Sequence, residues 1–210
     1  MKLIAITPPT TQEREQEHVT AIVDAGFDYV HLRKPGSDAD ELRRWLDALP
    51  ERAIGRIKLH SHFGLACEYP VAGIHLNSRC PQQPSRLPAG TKVSRSCHSI
   101  EELEACRNME YAFLSPIFDS ISKKGYTSPF NLKELKAQLA TRSLNNVVAL
   151  GGVTAENLAA LKDAGFAGAA FLGYIFGSTD INGTIRKITA TFSNIQLCYS
   201  SSPIPTIPVR

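Results

Sequence analysis

Several short apolar runs in this 210-residue chain end in polar or cationic side chains. They read Tyr29-Val-His31-Leu-Arg33, Lys58-Leu-His60-Ser-His62, Ile74-His75-Leu-Asn77, Val93-Ser94-Arg95-Ser96-Cys97-His98 and Tyr111-Ala-Phe-Leu-Ser115. In an extended strand, alternate side chains share a face, so His31 goes with Arg33, His60 with His62, His75 with Asn77 and Ser94 with Ser96. Such a face donates N–H and O–H groups. Arg33, followed by Lys34, suits a phosphate group, because a guanidinium makes paired contacts with oxyanions. His31, His60 and His98 are candidate proton carriers, since imidazole titrates near neutrality. One inward histidine is ordinary in a hydrogen-bonded core. Several at one rim call for partners, and an acceptor-rich ligand supplies them.

A second donor set is made of backbone. Gly151 and Gly152 follow the apolar run VVAL, and Tyr174, Ile175, Phe176 and Gly177 follow another. Amides in such turns can point at an anion, although a glycine pair can equally serve only a tight turn. The loop over 116–129 adds Ser120, Ser122, Lys123 and Lys124 beside Gly125. It can close over a site or remain a solvated surface loop. His60-Ser-His62 has a zinc-like spacing, but zinc needs a third or fourth ligand. Carboxylates are scarce at these strand ends, with Asp119 the nearest, so the residues themselves predict neither a zinc nor a magnesium site.

Elements must bring these groups together. Apolar runs at 3–6, 28–33, 56–60, 72–76, 91–94, 111–114, 147–150 and 168–172 predict eight strands. Helical spacing over 12–25, 38–49, 100–106, 131–139, 154–164 and 181–195, and a helical turn over 63–67, fill the gaps. Asp24-Ala-Gly-Phe27 recurs as Asp163-Ala-Gly-Phe166, each time a helix end feeding a strand. Eight βα units predict an α/β fold, a (β/α)8 barrel forming one small domain over 1–197, with a Pro-rich tail over 198–210. A doubly wound sheet is the alternative, but no early GxGxxG supports it. The chemistry then belongs at the C-terminal ends of the strands.

Composition narrows the partners. Net charge is +3 with scattered basic residues, which fits a small anionic substrate better than nucleic acid. No run reaches 18 apolar residues, so no membrane span is expected. The first residues lack signal-peptide features. Five cysteines without a CxxC pair suggest a reducing, cytoplasmic setting.

The runs IAIT at 4–7, YVHLRK at 29–34, GIHL at 73–76, RSCHSIEEL at 95–103, SPIFDSISKKG at 115–125 and ALGGVTAENL at 149–158 together resemble the thiamine phosphate synthase superfamily. That group holds the synthase and a thiazole tautomerase paralogue. The resemblance implies a dimeric (β/α)8 barrel with a phosphorylated small-molecule substrate. The synthase couples hydroxymethylpyrimidine diphosphate with hydroxyethylthiazole phosphate, using Mg2+, to give thiamine phosphate and pyrophosphate. By that likeness Arg33 and Ser96 hold pyrophosphate, helped by Ser120, Ser122 and Lys123. Gly152 and the amides around Ile175–Gly177 hold the thiazole phosphate. The synthase pattern has glutamine at His31, Asn-Asp at His60-Ser61 and a second aspartate near Cys80, so both metal carboxylates are absent here. The tautomerase is similar in having a histidine at His31, an Arg-Ser-x-His-Ser run and a Lys-Lys-Gly loop. It needs no metal, and its catalytic histidine falls on Pro116. The leading expectation is the synthase reaction. The alternatives are metal-independent tautomerisation of a carboxythiazole phosphate, with His31, His60 or His98 as substitute, and binding of a phosphorylated thiazole or pyrimidine without turnover.

Overall fold

The computed structural model describes residues 1–119 and 129–200, with side chains through 198. Ser120, Ser122, Lys123 and the last ten residues lie outside the described residues. Eight parallel strands close into a barrel in chain order, with β8 pairing back onto β1. They are β1 (Lys2–Ile6), β2 (Tyr29–Leu32), β3 (Ile57–Leu59), β4 (Gly73–Leu76), β5 (Lys92–Cys97), β6 (Tyr111–Leu114), β7 (Val147–Ala149) and β8 (Gly168–Phe171). The helices are α1 (Glu15–Asp24), α2 (Ala39–Asp47), α3 (Glu51–Ile54), α4 (Ile100–Glu104), α5 (Leu132–Thr141), α6 (Leu158–Asp163), α7 (Gly173–Phe176) and α8 (Ile181–Ser200). A 3-10 turn, Phe63–Cys67, stands where a helix would follow β3, and residues 77–91 join β4 to β5 without one.

Local chemistry explains the boundaries. Asp38 accepts from the Glu41 amide, and Glu41 answers at the Asp38 amide, starting α2 with a capping box. Ser99 and Asn131 cap α4 and α5. α8 runs past the boundary at 197 assigned to the tail, because the first proline beyond it is Pro203.

Alternation along each strand makes two interiors. Leu3, Ala5, Val30, Leu32, Ile74, Leu76, Val147 and Ala149 pack outward under the helices. Ile4, Ile6, Tyr111, Phe113, Val148 and Ala170 fill the barrel itself. Polar groups plug its lower end. Lys58 is fully buried, its Nζ 2.5 Å from Glu110 and over the rings of Tyr29 and Tyr111. Burial pushes Lys58 down to about 8, against the opposing pull of Glu110. This group lies directly beneath the inward histidines, with the Tyr111 ring between Lys58 and His31.

Candidate active site

Register sets the stage. His31 lies beside Lys58 on β3, and His75 beside Ser94 on β5, so these side chains enter the barrel side by side. His31 Nδ1 is 2.8 Å from His60 Nε2, and His31 Nε2 is 2.6 Å from the Tyr111 hydroxyl. His75 Nδ1 meets Ser94 Oγ at 2.9 Å, and His75 Nε2 meets Ser96 Oγ at 2.8 Å. The Tyr111 hydroxyl also faces Ser94. His31, His75 and Ser94 are fully buried, whereas His60 and Ser96 are partly exposed at the mouth. The result is a hydrogen-bonded line that dips from His60 to Tyr111 and returns through His75 to Ser96.

Burial holds all three imidazoles neutral at ordinary pH. It pushes His60 down to about 3, with the charge of Arg33 adding to the effect, and carries His31 and His75 well below their usual value. Tyr111 is raised well above its ordinary value, first by burial, and stays a phenol. His60 Nδ1 makes no hydrogen bond among the described residues. Among the described residues it is the one imidazole nitrogen of the line with no protein partner.

Arg33 follows β2, and its amide donates to the buried Thr7 hydroxyl at 2.9 Å. Its guanidinium is half-buried and pairs with no carboxylate among the described residues. His98 is exposed, with Nδ1 at 2.9 Å from the Ser115 carbonyl, and makes no hydrogen bond to the histidine line among the described residues. His62 turns outward to the Ser37 carbonyl at 2.9 Å, so the zinc-like His60/His62 spacing does not converge.

Lys34, expected beside Arg33 at the ligand, is only 1% exposed and faces away from it. Its Nζ lies 2.7 Å from Glu15 and donates to the Pro8 and Thr10 carbonyls. The period-two face explains this, since Lys34 has the opposite parity to Arg33.

Gly151 and Gly152 have φ of 90° and 63°, and a Cβ on Gly152 would meet the Asp119 carbonyl at 2.3 Å. The glycines therefore serve the close approach of the 116–119 segment, where Ile117 and Phe118 donate to the Leu150 and Gly151 carbonyls. Their own amides make no hydrogen bond among the described residues. In α7 the amides of Ile175 and Phe176 donate to Leu172, and that of Gly177 to Gly173. The donors expected at Ile175–Gly177 are thus spent within the turn, and Ile175 and Phe176 bury their side chains under the helices. The Tyr174 hydroxyl turns to Glu156.

The donor set does not fit magnesium. The strand ends carry imidazole at His60, hydroxyl at Ser61 and thiol at Cys80, and magnesium demands oxygen ligands with carboxylates among them. Among the described residues the one cluster of metal-ligating type is His31, His60 and His75, with nitrogens within 4.8 Å of one another. Their hydrogen bonds to each other, to Tyr111 and to the two serines already account for that arrangement.

The family model described as thiamine monophosphate synthase matches residues 3–175. The chain belongs to this family. Among its relatives, the thiamine-phosphate synthase of Neisseria meningitidis serogroup A is 25% identical over 198 residues, covering 90% of this chain and 94% of that protein. The Limosilactobacillus fermentum enzyme of the same name is 29% identical over 129 residues, covering 59% of this chain and 60% of that one. Among solved structures, the thiamine phosphate pyrophosphorylase of Bacteroides thetaiotaomicron superposes with a TM-score of 0.81 and 34% identity, over 92% of this chain and 98% of that one. Strand parity puts His75 and Ser94 on the inner face without assigning them to the site, and Tyr111 is not singled out at all. Their parity was readable, but their mutual contact depends on which strands adjoin.

Proposed function

We propose that the chain catalyses the thiamine phosphate synthase reaction, joining hydroxymethylpyrimidine diphosphate to hydroxyethylthiazole phosphate. One observation carries this reading. The mouth holds two separate donor sets on opposite sides, as two anionic substrates require. On the β2–β5 side stand Arg33, Ser96 and His60. On the β7 side stand the amides of Gly151 and Gly152, unengaged among the described residues. Arg33 and Ser96 donate to the diphosphate and gain strength as the pyrimidine CH2–O bond breaks and negative charge grows on the leaving group. The glycine amides hold the thiazole phosphate so that the ring nitrogen faces the forming cation. Ile6, Leu150 and Leu172 form the apolar floor between the two sides. The unbridged state of all five cysteines supports a reducing, cytoplasmic setting, and the family likeness supports a homodimer. Incubation with both precursors, following thiamine phosphate and pyrophosphate, tests the reaction. Absence of both products at stoichiometric enzyme refutes it.

A second reading, tautomerisation of a carboxythiazole phosphate, is favoured by the His60 line. When Tyr111 donates to His31, His31 donates to His60, and His60 Nδ1 carries a hydrogen. When the line reverses, His60 Nδ1 is a bare acceptor. Two neutral states of one network therefore make His60 either the acid or the base. Isomerisation of the carboxythiazole phosphate, followed by NMR, tests it. An unchanged rate in His60→Asn refutes the assignment.

A further inference from the structure

The unfit magnesium site leaves a question of charge: what faces the diphosphate where the carboxylates and their metal would stand. The answer lies in the turn after β4. Asn77 Nδ2 donates to the His60 carbonyl at 2.8 Å, fixing this turn over the end of β3. Asn77 Oδ1 accepts from the amides of Arg79 and Cys80 at 3.0 and 3.2 Å, and Asn77 and Cys80 exchange two backbone bonds at 3.1 Å. Arg79 thus sits in a tightly bonded turn, one strand from His60 and two from Arg33. It is exposed, and its side chain makes no hydrogen bond or ion pair among the described residues.

Arg33 follows β2 and Arg79 lies in the turn after β4, so the two cations stand on either side of the β3 end that carries His60, and neither has a carboxylate partner among the described residues. Burial depresses the Arg33 guanidinium, and the charge of Arg79 depresses it further, so the two cations repel each other. An anion with several oxygens between them removes that repulsion and satisfies both forks.

We propose that Arg33 and Arg79 form a metal-free clamp for the diphosphate, taking the place of the magnesium–carboxylate assembly. The proposal rests on the synthase reading of this mouth and adds Arg79 as a substrate-binding residue. His60 Nδ1 supplies a neutral third donor between the two cations, and the oxygens of one phosphoryl group replace the water on each guanidinium. No covalent step is needed for binding, so the clamp is testable without turnover.

The experiment is calorimetric titration of the full chain with sodium pyrophosphate, once in EDTA and once with Mg2+. The clamp predicts binding in EDTA with affinity no weaker than with Mg2+. Arg79→Ala, at an exposed position, is expected to weaken it about tenfold or more, the worth of a charge-assisted hydrogen bond. Arg79→Lys recovers part of that loss, because the charge stays but the fork does not. Pyrophosphate that binds only with Mg2+ overturns the clamp and leaves the synthase reading standing. No binding under either condition overturns the diphosphate site itself, and the synthase reading with it. Binding in EDTA that Arg79→Ala leaves unchanged overturns the role of Arg79.

Discussion

His31 Nδ1 and His60 Nε2 stand 2.8 Å apart, joining the inner faces of β2 and β3. The two histidines work as one unit. Each histidine gives the other a partner that a single replacement would leave unpaired in a buried site. His60→Asn keeps a donor at the mouth but removes the switchable nitrogen. We expect isomerisation of the carboxythiazole phosphate to fall about a hundredfold, within the usual worth of general acid–base catalysis. Thiamine phosphate formation, which asks His60 only for donation, is expected to change far less. Parallel rate measurements on the one variant separate the two.

The same histidines make stability depend on acid. All three have folded values depressed by burial, His60 to about 3. In the unfolded chain they titrate near 6.5. Between these values the unfolded state binds more protons, so stability is fully present above about 6.5 and falls as pH drops below it. Each histidine contributes a slope of about 1.4 kcal/mol per pH unit well below that point. Urea unfolding at pH 7.5 and pH 5 is expected to show the loss. The double variant His31→Gln with His60→Asn is expected to flatten the slope.

Lys34 is expected to act on stability before it acts on ligand affinity. Its partner Glu15 is fully buried and also accepts from the Trp45 indole at 3.0 Å and from the Gln12 amide at 3.0 Å. Lys34→Met leaves that carboxylate buried without its counter-ion, at a cost of about 3–5 kcal/mol. Urea midpoints, with Trp45 fluorescence as the probe, measure it.

Gly152→Ala is expected to displace the 116–119 segment. The new methyl would lie 2.3 Å from a backbone carbonyl, at a φ of 63° that alanine disfavours. The strain is about 1–3 kcal/mol, and binding of the thiazole phosphate weakens with it. Titration with hydroxyethylthiazole phosphate, alongside a melting curve, checks both.

Carboxylates placed at the β3 and β4 ends are expected to create a magnesium site. Ser61→Asp with Cys80→Asp supplies the oxygen ligands that magnesium requires. Pyrophosphate binding by this variant is expected to become sensitive to EDTA, since the new carboxylates also neutralise Arg33 and Arg79. Calorimetry with and without the chelator reads the change.

How much of this was legible follows from the range of each signal. Apolar runs of period two, helix caps such as Asp38 and Ser99, and the echo of Asp24-Ala-Gly-Phe27 at Asp163 are short-range patterns. They located every strand of the barrel within about three residues at each end. Ile100–Glu104 and Tyr111–Leu114 were readable because their caps and turns lie within a few residues. Parity alone placed His31, His60, His75, Ser94 and Ser96 on the inner face.

The sequence by itself determined the fold, the inward donors and the absence of carboxylates at Ser61 and Cys80, because residue type and strand parity are local. Tertiary structure decided which donors meet. It joined His31 to His60 and Tyr111, spent Lys34 on Glu15, turned His62 outward and tied the Asn77 turn, which carries Arg79, to the β3 end. Those outcomes depend on strand adjacency, on register and on long side chains choosing among distant partners. No local pattern encodes such contacts, since the residues that make them are separated by as many as 80 positions, as in the bond between His31 and Tyr111.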